Sequence, residues 1–470
     1  MDFLLIYPPS YTREPEFPIG GLFLAHSLIK NNFSLRIVND SSYKKIISFA
    51  QNNIDTSTIA IGLSVVSVMA IKDALNLTKE LKNLYSNIPI IWGGQHIMAQ
   101  PEEALKYQYV DYVVVGEGEK TLPLLLKAIR ERSDLSKIKG IGFKTKEKFI
   151  LTNKQNYTSL NGVFDLPYNL LDIDSYYRKL NLGGEKWLSA MYSRGCPFKC
   201  SFCINSTIGG INSKIRYHDI DHIIHDIKIL VNKYNADSIT ILDDHFFLIE
   251  DRVLNFCKQI LKNNISINFR ATGRVDSLCS LDDSTYKLLH KTGFLCIGAG
   301  IESGSKKMLK LLNKNISFEQ VDEVDSKLGE YNIYKHWNFI TALPGETIED
   351  VHETIELITK LAKTSLDSPY PFSSYKKYIP LPKTTLYEWA LKEYNFKPPQ
   401  SIEEWAIYSR KFLNEKKCDL VLRPWMDEEL ANYTDKIQKI VFKLNQLFVG
   451  KEADSNEILE RIKWIESNIL

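Results

Sequence analysis

Two parts of the chain alternate short apolar runs with longer stretches of helical periodicity. In the first part, from residue 3 to about 131, β-branched and other apolar residues predict five strands. Because these runs are apolar throughout, they predict a parallel sheet buried on both faces, with ligand-binding loops at the carboxyl ends of its strands. The predicted strands are Phe3 to Tyr7, Leu35 to Asn39, Ile59 to Val65, Ile88 to Trp92 and Tyr112 to Val115.

A second array of this kind begins near residue 188. Six such units predict an open, partial (β/α)6 barrel, and the segments beyond residue 398 predict helices. The predicted strands are 189–192, 239–242, 267–271, 295–299, 337–343 and 372–375. The fold class is therefore α/β, comprising a doubly wound parallel-sheet domain (1–135), a connector with a hairpin at 141–144 and 149–152 (136–187), the partial barrel (188–390) and a helical C-terminal region (391–470).

Composition narrows the class of protein. The 470 residues are 44% hydrophobic and 25% charged, which is typical of a globular domain and excludes disordered and collagen-like chains. A formal net charge of +2 gives no bulk attraction to nucleic acid or anionic lipid, so a nucleic-acid partner is not expected. We find no signal-peptide pattern and no apolar run long enough to cross a membrane, and the seven cysteines form an odd set. These features predict a cytoplasmic location without membrane association.

Three of the cysteines form a compact cluster directly after the first strand of the second array. Cys196, Cys200 and Cys203 have the spacing C-x3-C-x2-C. Three thiolates on one loop can hold three corners of a cubane iron–sulfur cluster and leave the fourth iron open to another ligand. The remaining cysteines supply no second C-x2-C pair, which a structural zinc site favours. A zinc site with a distant fourth ligand and unliganded structural cysteines remain the alternatives.

This cluster resembles the signature of the radical S-adenosylmethionine (SAM) superfamily, in which an aromatic residue, here Phe202, precedes the last cysteine. The resemblance continues over about residues 188–390, with segments similar to "GIESG" at 300–304 and "GLPGET" at 339–347. Two positions depart from the family pattern, because Ala342 and Lys383 stand where glycine or another small residue is usual.

The resemblance implies a 4Fe-4S cluster held by the three cysteines, with SAM bound to the open iron. It also implies that Arg274 pairs with the carboxylate of SAM and that nearby polar side chains contact its ribose or amino group. Ordinary capping of the following helices is the alternative role for the acidic residues. The candidate SAM contacts are Phe202, Asp243, Asp244, Arg274, Glu302 and Ser303.

The loops of the first array resemble those of the cobalamin-binding class of this superfamily. Residues 92–96 are similar to "GGPH" and residues 115–121 to "GEGE.T", whereas the fingerprints of dinucleotide-binding and P-loop proteins are absent from the sequence. No D-x-H-x-x-G segment occurs, so the resemblance implies cobalamin without a histidine ligand on cobalt. For the glycines, simple turn and helix-cap roles are the alternative. The candidate cobalamin contacts are Ser64, Gly93, Gly94, Glu117 and Gly118.

The resemblance implies a methyltransferase that acts on an unactivated carbon of a small-molecule or peptide substrate. One SAM would methylate cobalamin, a second would be cleaved to start the radical reaction, and flavodoxin or ferredoxin would supply electrons. The first alternative is oxidative cyclisation, rearrangement or epimerisation without net methylation. The second is a non-catalytic cobalamin or iron–sulfur module. The sequence identifies neither the substrate nor a catalytic residue.

Overall fold

The computed structural model describes residues 1–9, 15–66, 68–146, 148–208, 214–408, 420, 422–449 and 455–469. The chain divides into two compact units. The first unit comprises Met1–Leu160, Phe164–Tyr176 and Lys397–Glu415, and the second comprises Asn161–Val163, Tyr177–Phe396 and Lys416–Leu470. Within the described residues, no helix has both the length and the apolar character that a bilayer-spanning segment needs.

The first unit contains a seven-stranded sheet in the order β2-β1-β3-β4-β5-β6-β7. Strands β1 to β5 are parallel, as their unbroken apolar runs predict, and the hairpin β6–β7 joins them antiparallel to β5. The hairpin, expected within the connector, therefore extends this sheet. The strands are β1 Phe3–Tyr7, β2 Leu35–Asn39, β3 Ala60–Ser64, β4 Ile90–Gly93, β5 Tyr112–Val114, β6 Ile141–Lys144 and β7 Phe149–Leu151.

Helices connect the strands of the first unit, with α1 packed against α6 and α2 against α3. They are α1 Ile19–Lys30, α2 Tyr43–Asn53, α3 Ile71–Leu84, α4 Gln95–Ala99, α5 Pro101–Lys106 and α6 Gly118–Glu131. A later segment, α16 (Ile402–Trp405), also packs against α3, because it buries Ile402 and Trp405 completely. From the sequence, this helix was expected to belong to the helical C-terminal region (391–470).

The second unit contains a parallel six-stranded sheet in the order β15-β14-β13-β12-β11-β8, which confirms the predicted partial barrel. The third and fourth strands extend three residues beyond their predicted ends, to Arg274 and Glu302, because pairing continues through glycines. The strands are β8 Trp187–Ala190, β11 Ser238–Ile241, β12 Asn268–Arg274, β13 Phe294–Glu302, β14 Tyr334–Thr341 and β15 Ser373–Lys377, with a short ribbon of β9 Ser193–Arg194 and β10 Arg216–Tyr217.

Helices α7 to α15 of the second unit follow or connect these strands, and two long C-terminal helices, α17 and α18, pack against α14. The first ten bounds are α7 Asn205–Ile208, α8 Ile220–Asn232, α9 Glu250–Lys262, α10 Val275–Cys279, α11 Asp283–Thr292, α12 Lys306–Leu311, α13 Phe318–Glu330, α14 Ile348–Lys363, α15 Thr385–Glu393 and α17 Glu428–Phe448. The last helix is α18 Ser455–Asn468, and residues 409–419 of the predicted helical region lie outside the described residues.

Candidate active site

The three clustered cysteines lie on the loop after β9. Gly195 begins this loop with a φ of 94°, a left-handed conformation that glycine adopts without strain. The backbone N–H of Cys203 donates to the carbonyl of Cys200 at 3.1 Å, which closes a tight turn between them. All three cysteines carry thiols rather than disulfides, with Cys200 buried and Cys196 and Cys203 partly buried. The loop thus presents three neighbouring sulfur atoms.

Ser201 anchors this loop to the barrel through its backbone and hydroxyl group. Its N–H donates to the carbonyl of Leu312 at 3.0 Å, and its hydroxyl donates to the carbonyl of Leu311 at 2.8 Å. Its own carbonyl accepts the N–H of Leu386 at 2.8 Å. These three contacts of Ser201 fix the middle of the loop and involve none of the cysteine sulfurs.

Burial raises the pKa of two of the three thiols. Burial raises the pKa of Cys196, and burial together with the charges of Cys200 and Cys196 raises the pKa of Cys203 to about 11. The three sulfurs are therefore close enough to influence one another. Within the described residues, no set of three or more His, Cys, Asp or Glu side chains is arranged to hold a single metal ion. Three neighbouring thiols on one loop fit the donor chemistry of a 4Fe-4S cluster, which binds each cysteine through a different iron.

Arg274, the last residue of β12, lies against this loop. Its Nη1 donates to the Sγ atom of Cys200 at 3.0 Å and its Nη2 to the carbonyl of Lys314 at 2.6 Å. Its Nε and Nη2 form a fork on the carboxylate of Asp276, with distances of 3.0 Å. The guanidinium also covers the ring of Phe198, 3.8 Å from the ring centroid. Arg274 therefore contacts a cluster cysteine directly.

His245 lies next to Arg274 and Phe198. The sequence analysis did not identify His245 or Phe198 as site residues. The ring of His245 stacks on Phe198 with centroids 5.4 Å apart, and its Nε2 lies 3.0 Å from the hydroxyl of Ser277. Burial, and secondarily the charge of Arg274, lowers the pKa of His245 to about 4, so the ring is neutral at pH 7. The available signals were the position of Phe198 between two cysteines and of His245 directly after Asp244.

Asp243 and Asp244, two of the predicted SAM contacts, hold segments that flank the cysteine loop. One oxygen of Asp243 accepts the N–H of Tyr192 and the other accepts the hydroxyl of Ser193, both at 2.6 Å. Burial raises the pKa of Asp243 to about 6. Asp244 accepts the side-chain amide of Asn205 at 2.7 Å. Asp243 thus ties β11 to the strand that leads into the cysteine loop.

Glu302 and Ser303 lie at the carboxyl end of β13, also among the predicted SAM contacts. Glu302 has a φ of 79°, unusual for a residue other than glycine, and forms a buried ion pair with Nζ of Lys314 at 2.8 Å. Ser303 is buried and its hydroxyl lies 3.1 Å from that of Thr354. Phe202 is partly buried beside Cys203. Lys314, which the sequence analysis missed, links Glu302 to Arg274 through its side chain and its carbonyl.

The two positions that depart from the family pattern both have left-handed backbones. The φ angle is 59° at Ala342 and 63° at Lys383, which explains why glycine is usual there. The buried carboxylate of Glu346 accepts the hydroxyl of Thr341 at 2.9 Å and the N–H of Ala342 at 2.5 Å. Burial raises the pKa of Glu346 to about 8. Glu346 therefore stabilises the strained turn after β14.

In the first unit, Ser64, Gly93 and Gly94 meet at the carboxyl ends of β3 and β4. The N–H of Val65 donates to the carbonyl of Gly93 at 2.7 Å. Gly94 has a φ of 106°, and a Cβ atom there would lie 2.5 Å from the carbonyl oxygen of Val65. The hydroxyl of Ser64 hydrogen-bonds that of Tyr7 at the end of β1. Only glycine fits position 94, because its backbone packs directly against that of Val65.

Glu117 and Gly118 follow the neighbouring strand, β5. Glu117 accepts the N–H of Thr158 at 2.9 Å. Gly118 begins α6, and a Cβ atom there would lie 2.7 Å from Leu24 Cδ2, so glycine lets α6 approach α1 closely. The structure thus places all five predicted cobalamin contacts on three adjacent strand ends of one sheet.

His96 is buried near these loops, at the start of α4. Its Nε2 has no hydrogen-bond partner among the described residues, and burial lowers its pKa to about 4. The edge of its ring faces Trp405 of α16 with centroids 5.5 Å apart. A neutral imidazole with an unsatisfied nitrogen fits a site that receives a polar ligand. The sequence did not reveal this contact between Trp405 and His96, because it spans more than 300 positions.

Comparisons with known families agree with both halves of this description. Residues 13–126 match the family described as the B12 binding domain, and residues 191–358 match the radical SAM superfamily. The chain therefore combines a B12 binding domain with a radical SAM domain, as the sequence predicted. This confirms the cofactors predicted from the sequence, namely a 4Fe-4S cluster, SAM and cobalamin. Such an enzyme needs a source of electrons for its cluster.

Three similar proteins are informative. An uncharacterized methyltransferase from Pyrococcus horikoshii is 27% identical over 396 residues, which cover 80% of this chain and 83% of the relative. The anaerobic magnesium-protoporphyrin IX monomethyl ester cyclase of Rubrivivax gelatinosus is 23% identical over 302 residues, covering 62% of this chain and only about half (53%) of the cyclase. The solved structure of the radical SAM methyltransferase TsrM from Kitasatospora setae, with tryptophan and a SAM analog bound, has a TM-score of 0.71 at 16% identity and covers 99% of both chains.

Proposed function

We propose that the chain is a cobalamin-dependent radical SAM methyltransferase that transfers a methyl group to an unactivated carbon of a small molecule or a peptide. The observation that carries the proposal is the presence, in one chain, of a loop with three neighbouring cysteine thiols and a glycine-lined set of strand ends in a B12 binding domain. When bound, the cluster and SAM supply a radical that removes hydrogen from carbon, and cobalamin supplies the methyl group.

In this proposal, Cys196, Cys200 and Cys203 hold the cluster, and Asp243 positions their loop through Tyr192 and Ser193. Phe202, Asp244, Glu302 and Ser303 remain the candidate contacts of SAM. Glu302 is the strongest of the four, because a strained, buried residue at a strand end is typical of a functional site. Its carboxylate suits the amino group of SAM.

Ser64, Gly93, Gly94, Glu117 and Gly118 are the proposed contacts of cobalamin. At Gly93 an added Cβ atom would meet nothing closer than 3.9 Å, so the backbone there leaves room for a large planar ligand. The unsatisfied Nε2 of His96 suits a hydrogen bond with one of the amide groups of that ligand. A flavodoxin or ferredoxin is the proposed electron donor.

A second candidate function is cyclisation or another rearrangement without net methylation. The similarity to the Rubrivivax cyclase favours it, although the methyltransferase from Pyrococcus is covered over a larger share of both chains. Both candidates use the same cofactors, so the cofactor sites alone do not separate them.

The test uses SAM itself as the probe. The anaerobically purified holoenzyme is assayed for iron, cobalt and corrin, then incubated with SAM and a reductant, and both SAM-derived products are quantified. A methyltransferase of this class forms S-adenosylhomocysteine as well as 5′-deoxyadenosine. Formation of 5′-deoxyadenosine alone would favour the rearrangement function. Formation of neither, with both cofactors bound, would indicate a non-catalytic module.

A further inference from the structure

We propose that Arg274 sets the reduction potential of the iron–sulfur cluster by donating a hydrogen bond to the sulfur of Cys200. Arg274 is thereby a positioning residue, which acts through a cluster ligand rather than through the carboxylate of SAM. The inference rests on the proposed cluster and goes beyond it, because it assigns to one side chain the control of the electron-transfer step that starts the reaction.

The hydrogen-bond donors of Arg274 are nearly all in use. A guanidinium has five N–H groups. Within the described residues, one on Nε and one on Nη2 donate to Asp276, the second on Nη2 donates to the carbonyl of Lys314, and one on Nη1 donates to Cys200. One N–H on Nη1 is left. A two-point fork with a carboxylate needs two parallel N–H groups, so the proposal assigns Arg274 to the sulfur of Cys200 instead of the carboxylate of SAM.

Several contacts fix the guanidinium in its place. Asp276 holds one edge, the ring of Phe198 covers one face at 3.8 Å, and Phe198 is itself stacked on His245. The backbone of Lys314 holds Nη2, while the side chain of Lys314 pairs with Glu302. Because Arg274 is buried and held from several sides, its N–H group stays directed at the sulfur.

The chemical consequence follows from charge. One-electron reduction by an external donor adds one negative charge to the cluster and its thiolates, with no bond made or broken. A hydrogen bond to a ligand sulfur stabilises the more negative state more strongly, and such bonds are among the determinants of cluster potentials. The N–H group of Arg274 therefore raises the reduction potential and makes the cluster easier to reduce.

The test measures the midpoint potential of the cluster in the anaerobic holoenzyme without SAM. The variants are Arg274→Lys, which keeps the charge but loses the planar donor array, and Arg274→Met, which loses both. The matched control is Arg252→Lys. Arg252 is also a stacked arginine of the second unit, 4.3 Å from the ring centroid of Tyr217, but among the described residues it donates to the carbonyls of His218 and Tyr192 and to no sulfur.

We expect Arg274→Lys to lower the midpoint potential by about 59 mV, which for a one-electron couple is a tenfold loss in the equilibrium constant for reduction. Arg274→Met should lower the midpoint potential by at least as much. The Arg252 control should match wild type. Unchanged potentials in both Arg274 variants, with SAM affinity reduced, would overturn the inference and assign Arg274 to SAM.

A second measurement does not depend on the folding of a variant. After exchange of the wild-type enzyme into D2O, backbone N–H groups at Cys196 and Cys203 should couple to the reduced cluster, and pulsed electron paramagnetic resonance should show a further exchangeable deuteron at Cys200. A wild-type cluster without the coupling at Cys200 would overturn the hydrogen bond while leaving the proposed function intact. Wild-type protein that binds no 4Fe-4S cluster under reconstitution would instead refute the proposed function.

Discussion

The carboxylate of Glu346 accepts the backbone N–H of Ala342 at 2.5 Å, and Ala342 has a left-handed φ of 59°. The strained residue and the buried acid are thus coupled in the turn after β14. The third donor to this carboxylate is the N–H of Leu343, at 3.3 Å. The turn is therefore held by the carboxyl group of Glu346, whose pKa is raised by burial.

This coupling predicts a pH dependence of stability. The pKa of Glu346 is about 8 in the folded protein against an ordinary 4.5, so its contribution is fully present below pH 4.5 and is lost as pH rises through 8. Over this window, Glu346 should lower the free energy of unfolding by up to about 1.4 kcal/mol per pH unit. Glu346→Gln should flatten the slope, as measured by chemical denaturation at several pH values. An identical slope in the variant would contradict the assigned pKa.

Substitution of Lys383 tests the strain at the other position where the family pattern has glycine. Lys383 is exposed with a φ of 63°, so Lys383→Gly should stabilise the protein by about 0.5–1 kcal/mol. The control is Lys258→Gly, at an exposed site inside α9, which should cost about 1 kcal/mol. Thermal denaturation of both variants measures the difference. Equal destabilisation by both substitutions would show that Lys383 is not strained.

Gly94→Ala should damage the cobalamin domain more than Gly116→Ala. Both glycines have φ near 105°, but an added Cβ atom at Gly94 would lie 2.5 Å from the oxygen of Val65, whereas Gly116 has nothing within 4 Å. Backbone strain should destabilise both variants by about 1–3 kcal/mol, and the steric clash adds to this cost only at position 94. Melting temperature and bound corrin per chain measure the two effects. If the Gly94 variant retains full corrin, its role in cobalamin binding is wrong.

Cys200→Ala should abolish the iron–sulfur cluster and leave cobalamin bound, because the cysteine loop and the glycine-lined strand ends belong to separate compact units. Cys257→Ala, at a fully buried cysteine in α9, is the control for loss of a buried thiol and should retain its iron. Iron and corrin are measured on anaerobically reconstituted protein. A full iron complement in the Cys200 variant would contradict its assignment as a ligand.

The sequence predicted the features that are encoded locally. The spacing of the cysteines and the order of the strand-end motifs identified the enzyme family and its three cofactors, and the apolar runs gave β1 and β2 with their observed bounds. Strand ends rich in glycine were harder to predict, because pairing with neighbouring strands carries β13 through Gly300 to Glu302. Glycine has a low strand propensity, and only tertiary context overrides it.

The contacts of the site residues could not be predicted, since they depend on segments distant in sequence. Arg274 contacts Cys200, 74 positions away, and Trp405 packs near His96. The motif identified Arg274 as a candidate but not its partner. Hydrogen bonds of this kind follow from the packing of complete elements and leave no periodic pattern in the chain.

The attachment of Ser201 has a consequence for how the enzyme survives exposure to air. Its three hydrogen bonds, to Leu311, Leu312 and Leu386, involve no atom that iron would occupy or oxygen would attack. A protein molecule that has lost its iron–sulfur cluster should therefore keep the cysteine loop in a conformation that can bind a new cluster. Repair in a living cell would then need fresh iron, sulfide and electrons, but no unfolding and rebuilding of the polypeptide.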